Sequence, residues 1–424
     1  MLKKLYIHNF KSFWNSTFEF GKVNCLIAPN NTGKSNLIEA IEFIDKLLFK
    51  TDDTFDIKKD FNELKNFKHE ENNIKFTLEF ELTNRVLVYY DLIDYKYSVK
   101  FNIILGNINN IDVEIDGYIK SLKININDNN SLLSQSFGSR LFDEELNTSI
   151  INYIEYDKEL NKKRYSKFNF KYAHNTLLYT LESPSTIKDA IYNLFSIQVN
   201  TKNEIIKHID FRNIFSKRIF SSHYFHTNLI KQYAQITTPA KLNKYGTNLV
   251  EFISGQLDKT IEDISTSMIG EVEQIDSIEI VEEAFKTLYF IENGKYKVPL
   301  KKASDGTIHY LAIMSSLIAN EKNTIAIMFE EPERHLHLKL LITIVNQMRY
   351  SNSQIFFTTH SGELLKELNQ DEIIFLYRDE DFGDTKSLNA SKVHQLDKIF
   401  KKYKYEISDI VKDGVLGYIG DYDG

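Results

Sequence analysis

Apolar and polar positions along this chain follow three rhythms in turn. The first residues carry short apolar stretches: Leu5-Tyr6-Ile7, Asn9-Phe10-Lys11-Ser12-Phe13, Thr17-Phe18-Glu19-Phe20 and the mostly apolar run at 23–27. These predict strands. A helical pattern follows, with Leu37, Ile38, Ile41, Ile44, Leu47 and Leu48 spaced along one face. After a polar stretch at 51–73, strict alternation returns at Ile74, Phe76, Leu78, Phe80 and Leu82. It recurs at Tyr95, Tyr97, Val99, Phe101 and Ile103, at Ile111, Val113 and Ile115, and at Leu122, Ile124 and Ile126. Period-two patterns between Asn, Asp and Gly turns predict antiparallel strands with one wet face.

The second rhythm, over 135–245, predicts a mostly helical insertion with long polar connections. The third begins at Gly246. A helix is predicted over 308–320, a buried strand over 324–329, a helix over 338–349, a buried strand over 354–358 and an edge-like strand over 373–377. Continuous apolar strands alternating with helices predict a parallel sheet covered on both faces. The fold class is therefore α/β: a mixed sheet flanked by helices, an antiparallel β lobe and a helical insertion. The expected division is a first part of the head with the β lobe at 1–134, the insertion at 135–245 and the second part of the head at 246–424. No internal repeat interrupts it.

Composition adds few constraints. With 424 residues, 42% hydrophobic and 26% charged, the chain has the makeup of a large globular protein. The one cysteine, Cys25, lies in the apolar run and reads as a packing residue, so no disulfide within the chain is expected, which fits a reducing cytoplasm. The first residues lack an apolar core of signal-peptide length, and no stretch reaches a membrane span, so no membrane contact is expected. Charge is uneven. The 135–245 stretch holds 16 Lys/Arg against 10 Asp/Glu, an excess of six positive charges on a chain of net −7. Its basic residues interleave with aromatics in Lys162-Lys163-Arg164-Tyr165-Ser166-Lys167-Phe168 and in Lys217-Arg218-Ile219-Phe220. The readings are a solvated arm or a contact with DNA or an acidic partner.

The candidate chemistry sits at the ends of the apolar runs. Ala28-Pro29-Asn30-Asn31-Thr32-Gly33-Lys34-Ser35 follows one apolar run and opens the first helix. Strand, turn, Gly-Lys-Ser and helix form the context of a phosphate-binding loop. Backbone N–H groups and the helix N-terminus face the phosphates, Lys34 reaches the β/γ-phosphates, and Ser35 holds Mg²⁺. The run at 325–329 ends in Glu330-Glu331. The first carboxylate suits a water-mediated Mg²⁺ contact, and the second can polarise an attacking water. The next apolar strand ends in Thr358-Thr359-His360, whose imidazole can hydrogen-bond a γ-phosphate. Ser304-Asp305-Gly306-Thr307 opens another helix, either as a plain N-cap or as a second phosphate-binding surface supplied to another subunit. His335 and His337 lack the further ligands of a zinc site and read as surface or dimer-contact residues.

Taken in order, Asn-Phe-Lys-Ser-Phe, Ala-Pro-Asn-Asn-Thr-Gly-Lys-Ser, Ala-Ser-Asp-Gly-Thr, Phe-Glu-Glu-Pro-Glu-Arg-His-Leu-His and Thr-Thr-His-Ser resemble the ABC-type ATPases of the RecF/SMC-like and OLD-like branch, often grouped as AAA ATPases. The resemblance covers about the first 85 residues and everything after Gly246. It implies that two heads sandwich two ATP molecules with Mg²⁺. Asn30, Asn31, Thr32, Gly33, Lys34 and Ser35 then bind phosphates and metal, with Lys11 and Ser12 near the ribose and α-phosphate. Glu330 is the metal carboxylate, Glu331 the catalytic base, and His360 the switch histidine. Ser304, Asp305 and Gly306 act in trans on the γ-phosphate.

Ala28 and Glu330 depart from the family's usual Gly and Asp, Leu338 replaces a frequent Pro, and no Gln between the loop and Gln135 can serve as the Q-loop residue. The tail after Arg378 is too short for the nuclease domain of OLD proteins, and Asp421-Tyr422-Asp423 reads as a flexible end. A head with an insertion and no nuclease resembles the ATPases of anti-phage systems of the Septu and PARIS kinds. That implies a homodimer, or a larger assembly of dimers, acting as sensor or scaffold for a separate effector such as a nuclease. The alternatives are a DNA-repair or chromosome-maintenance ATPase and a non-hydrolysing ATP-gated scaffold. A transporter motor is disfavoured because Leu-Ser-Gly-Gly-Gln is absent.

Overall fold

The computed structural model describes residues 1–29, 31–49, 63–71, 73–88, 91–105, 110–125, 218–232, 241–282, 286–319, 324–379 and 381–392, with short strands between 141 and 209. The chain forms two compact units, 1–20 with 43–217 and 21–42 with 218–424.

In the first unit, long antiparallel strands pair in the order Ser16–Glu19, Leu2–His8, Ile74–Val88, Asp91–Leu105 and Asn110–Asn125. The alternation explains the burial: Phe76, Leu78 and Phe80 are buried and pair across to Ile7, Leu5 and Leu2, which are buried too. Phe10 packs edge-on to Phe76, with ring centroids 5.4 Å apart. Asn9 to Phe13 is a tight reversal rather than a strand, since Phe10 and Phe13 exchange backbone hydrogen bonds of 3.1 and 2.8 Å. Asn9 and Lys11 hold φ of +57° and +47° to make that turn.

The pattern at 111–126 predicted two strands, whereas Asn110–Asn125 is one. The apolar positions shift there from odd to even numbers. A bulge absorbs the shift: Tyr97 pairs with Ile119 but Lys96 with Ser121, which leaves Lys120 over. One extra residue flips the phase of a period-two pattern without a turn.

The described elements of 135–217 are strands, not the expected helices. Lys162–Arg164 and Phe168–Ala173 both pair with Asn110–Asn125 and extend the sheet. Side chains there, and the tail with Asp421 and Asp423, lie outside the described residues.

The second unit is built on a six-stranded sheet in the order Arg218–His223, Thr324–Glu330, Gln354–Thr358, Val23–Ile27, Ile373–Arg378 and Thr385–Asn389. The first five strands run parallel, and the last is antiparallel. The head resumes at Arg218 rather than Gly246. Ser221-Ser222-His223 breaks the apolar pattern, which hid this strand. Val23–Ile27 is buried throughout, Cys25 included, as a central parallel strand requires. Its one polar side chain, Asn24, is satisfied: it accepts from Gly21 N–H at 2.8 Å and donates to Ile355 O at 3.0 Å. The helix Asp305–Ala319 is buried almost all round and packs with Ile327, Phe329, Ile355 and Phe357 in one core. A small antiparallel sheet, Ile275–Glu282, Lys286–Glu292 and Tyr296–Pro299, completes the unit. Among the described residues no helix is long and apolar enough to cross a membrane.

Candidate functional site

The parallel strands deliver their chemistry to one edge. Val23–Ile27 runs into the loop, and the helix Lys34–Phe49 starts from it, with Leu37 N–H donating to Gly33 O at 3.0 Å. Gly33 holds φ of +111°, open to glycine alone without strain, and Asn31 holds +63°. Two neighbours clamp the loop. Arg378 donates to Asn31 O at 2.5 Å, and the Thr385 hydroxyl donates to Thr32 O at 2.6 Å. Sequence reasoning missed both. They come from the antiparallel strand pair at 373–389, which carries no motif.

A cleft of about 250 Å³ opens beside the loop, lined by Gly33, Lys34, Ser35, Glu330, Glu331 and His360 among others. The Lys34 ammonium donates to Ala28 O at 2.8 Å and meets His360 Nε2 at 3.1 Å. Burial holds its pKa below the usual lysine value, while Glu331 pulls the other way. A partly desolvated cation held by one carbonyl and one imidazole gains strongly from an arriving anion. Asn31 and Thr32 also line the cleft, and Asn30 lies outside the described residues.

Glu330 ends its strand and pairs with Lys244, 3.2 Å away. Lys244 also meets Glu42 at 3.5 Å, and Ser222 donates to the same Glu42 carboxylate. These carboxylates keep the Lys244 pKa above the usual value against the desolvation that opposes them. Lys244 fell in the presumed insertion, so its place beside Glu330 was not legible. Glu331 holds φ of +48°, and its N–H donates to Thr358 O at 3.1 Å. Its carboxylate faces Arg334 at 3.5 Å, and the Arg334 guanidinium lies over the Tyr224 ring, 5.2 Å from its centroid. Glu333 was also missed. Its Oε1 accepts from the Thr359 hydroxyl at 2.8 Å and from His360 N–H at 2.9 Å, which fixes the backbone under the histidine.

Not every predicted residue joins this cleft. Ser304 caps the helix Asp305–Ala319, its Oγ accepting from Thr307 N–H at 3.1 Å, and Asp305 pairs with Lys231 at 2.7 Å. The described cleft lining includes neither of them, nor Gly306. Lys11 and Ser12 belong to the first unit; Ser12 is buried, and burial lowers the Lys11 pKa. His335 and His337 are exposed, and no group of three or more metal-ligating side chains occurs among the described residues.

The family profile of the AAA ATPase domain matches residues 1–365. The chain belongs to this family. It is an ATPase, and its fold is that of an ABC-type head like those of SMC proteins. A Helicobacter pylori protein named ATP/GTP phosphatase is 24% identical over 403 residues, 92% of each chain. A solved SMC head bound to the C-winged helix domain of ScpA superposes with a TM-score of 0.50 at 13% identity, covering 92% of this chain and 99% of that one. The SMC head domain from Thermotoga maritima reaches a TM-score of 0.41 at 14% identity, over 92% of this chain and 98% of that one.

Two buried imidazoles are expected to lower the stability of this AAA ATPase in acid. Burial pushes both His223 and His309 down to about 4, with Lys244 adding to the effect at His223 and His335 at His309, while the carbonyls of Asn243 and Pro332 oppose it. In the unfolded chain both return to roughly 6.5. The unfolded state therefore takes up protons first as pH falls. Stability is retained above about pH 6.5 and lost progressively toward pH 4. The thermal midpoint is expected to fall between pH 6.5 and 4.5, and less steeply in His309→Gln, which removes one of the two groups. Equal slopes in both proteins would contradict this.

Proposed function

We propose that this ATPase binds Mg–ATP in the cleft beside the Gly33-Lys34-Ser35 loop, hydrolyses it with Glu331 as general base, and completes each site with Ser304, Asp305 and Gly306 of a second copy. The observation that carries the reading is the convergence of Lys34, Ser35, Glu330, Glu331 and His360, from the ends of two parallel strands and the start of the helix that follows a third, on one cleft. Each has the chemistry its position demands. Lys34 neutralises the β/γ-phosphates, Glu331 takes the proton of the attacking water, and His360 hydrogen-bonds the γ-phosphate.

Ser35 and Glu330 line the same cleft with oxygen donors, the set a hard divalent cation takes, and Mg²⁺ needs only one or two protein groups beside phosphate and water. When bound, the ion offsets charge on the transferring phosphoryl group. Lys244 holds one oxygen of Glu330, which leaves the other for a water-mediated contact. The role of Lys11 and Ser12 near the ribose, and that of Asn30, belong to the same proposal and rest on the motif resemblance. So does service as sensor or scaffold for a separate effector.

Lys34→Ala tests the binding step. Losing the one loop cation removes a charge-assisted contact of about 2–4 kcal/mol, roughly 30- to 1,000-fold in affinity. Titration with a fluorescent ATP analogue should show that loss. Unchanged affinity would move the nucleotide elsewhere.

A further inference from the structure

We infer that His309 is a positioning residue for hydrolysis: its imidazole ties the helix that opens at Ser304-Asp305-Gly306 to the turn that carries Glu331. The inference rests on the reading of Glu331 as the base. The His309 side chain is buried, and its Nε2 lies 3.2 Å from the carbonyl oxygen of Pro332, next to Glu331. A carbonyl only accepts, so Nε2 carries the proton and Nδ1 keeps its lone pair. Nδ1 is itself buried and has no hydrogen-bond partner among the described residues. An apolar side chain would fill this core position without that penalty. The imidazole fixes the carbonyl beside the base in return.

That carbonyl needs fixing. Glu331 holds φ of +48°, a conformation a residue with a Cβ keeps only where its surroundings over-determine it. On one side its N–H is held by Thr358 O. On the other, the Pro332 carbonyl is held by His309. The far end of the turn meets the same helix: a Cβ added at Gly306 would stand 2.6 Å from His335 O, so backbone touches backbone there. Helix and turn are joined at two points, and Glu333 joins the turn to the backbone of His360. A displacement of the Ser304 helix start therefore moves Pro332, and Glu331 with it. Phosphate contact at Ser304-Asp305-Gly306 and the seating of the base become one event.

The test uses the full chain with His309→Leu, His309→Gln and Glu331→Gln side by side. His309→Leu should lower kcat about 10-fold or more, with affinity for a labelled ATP analogue within about twofold of wild type, because the loop is untouched. The Gln amide nitrogen reaches the Nε2 position, so His309→Gln should recover kcat to within about threefold. Wild-type turnover in His309→Leu beside an inactive Glu331→Gln overturns the inference and leaves the base assignment standing. Full turnover in Glu331→Gln overturns the base assignment, and the path from His309 with it. Should His309→Leu fail to fold, ¹⁵N-histidine NMR of the wild-type chain decides. A neutral ring protonated at Nε2 supports the tie, and a proton on Nδ1 overturns it.

Discussion

Glu331→Gln should keep ATP bound and slow hydrolysis about 100-fold or more. Gln preserves the size of the side chain and its reach into the cleft, so the contacts of Lys34 and Ser35 with the nucleotide persist. What disappears is basicity. The attacking water then has no group to take its proton in the transition state. Glu330 is poorly placed to substitute, since Lys244 holds its carboxylate at 3.2 Å. Glu333 is tied to Thr359 and to the His360 backbone. A single-turnover assay with radiolabelled ATP separates the two steps. Binding should match wild type while phosphate release falls. Turnover near the wild-type rate would mean that Glu331 is not the base.

The second large effect concerns sharing of sites between subunits. Ser304→Arg and Lys34→Ala homodimers should each be inactive, the first for want of the trans element and the second for want of the loop. Mixing them should restore activity. One composite site then pairs an intact loop with an intact Ser304-Asp305-Gly306, and the other carries both lesions. Independent sites recover at most about half of the wild-type rate per dimer. Subunits carrying different affinity tags allow the mixed dimer to be isolated before assay. Absence of recovery in that purified species would contradict sharing between independent sites.

The gathering of Lys34, Ser35, Glu330, Glu331 and His360 on one cleft was legible because their motifs end largely apolar runs. Val23–Ile27 and Gln354–Thr358 are buried throughout, and Thr324–Glu330 nearly so. A parallel sheet carries whatever follows such strands to the same edge. Other parts had no local signal. The strand Arg218–His223 is interrupted by Ser221, Ser222 and His223, and is a strand because it pairs with Thr324–Glu330. Arg378 and Thr385 reach the loop through the antiparallel pairing of 373–378 with 385–389, which no motif announces. Lys244 meets Glu330 across more than 80 residues of chain. The turn conformation of Glu331 depends on Thr358 and the Pro332 carbonyl rather than on its own residue type. In the first unit, alternation identified the strands but not the bulge that joins two phases of it.

The most direct measurement is a structure of Glu331→Gln with ATP and Mg²⁺ bound. The account predicts a dimer with the γ-phosphate on Lys34 of one head and Ser304 of the other. A γ-phosphate resting on Lys34 and Ser304 of the same chain, or nucleotide bound away from the Gly33-Lys34-Ser35 loop, would contradict it.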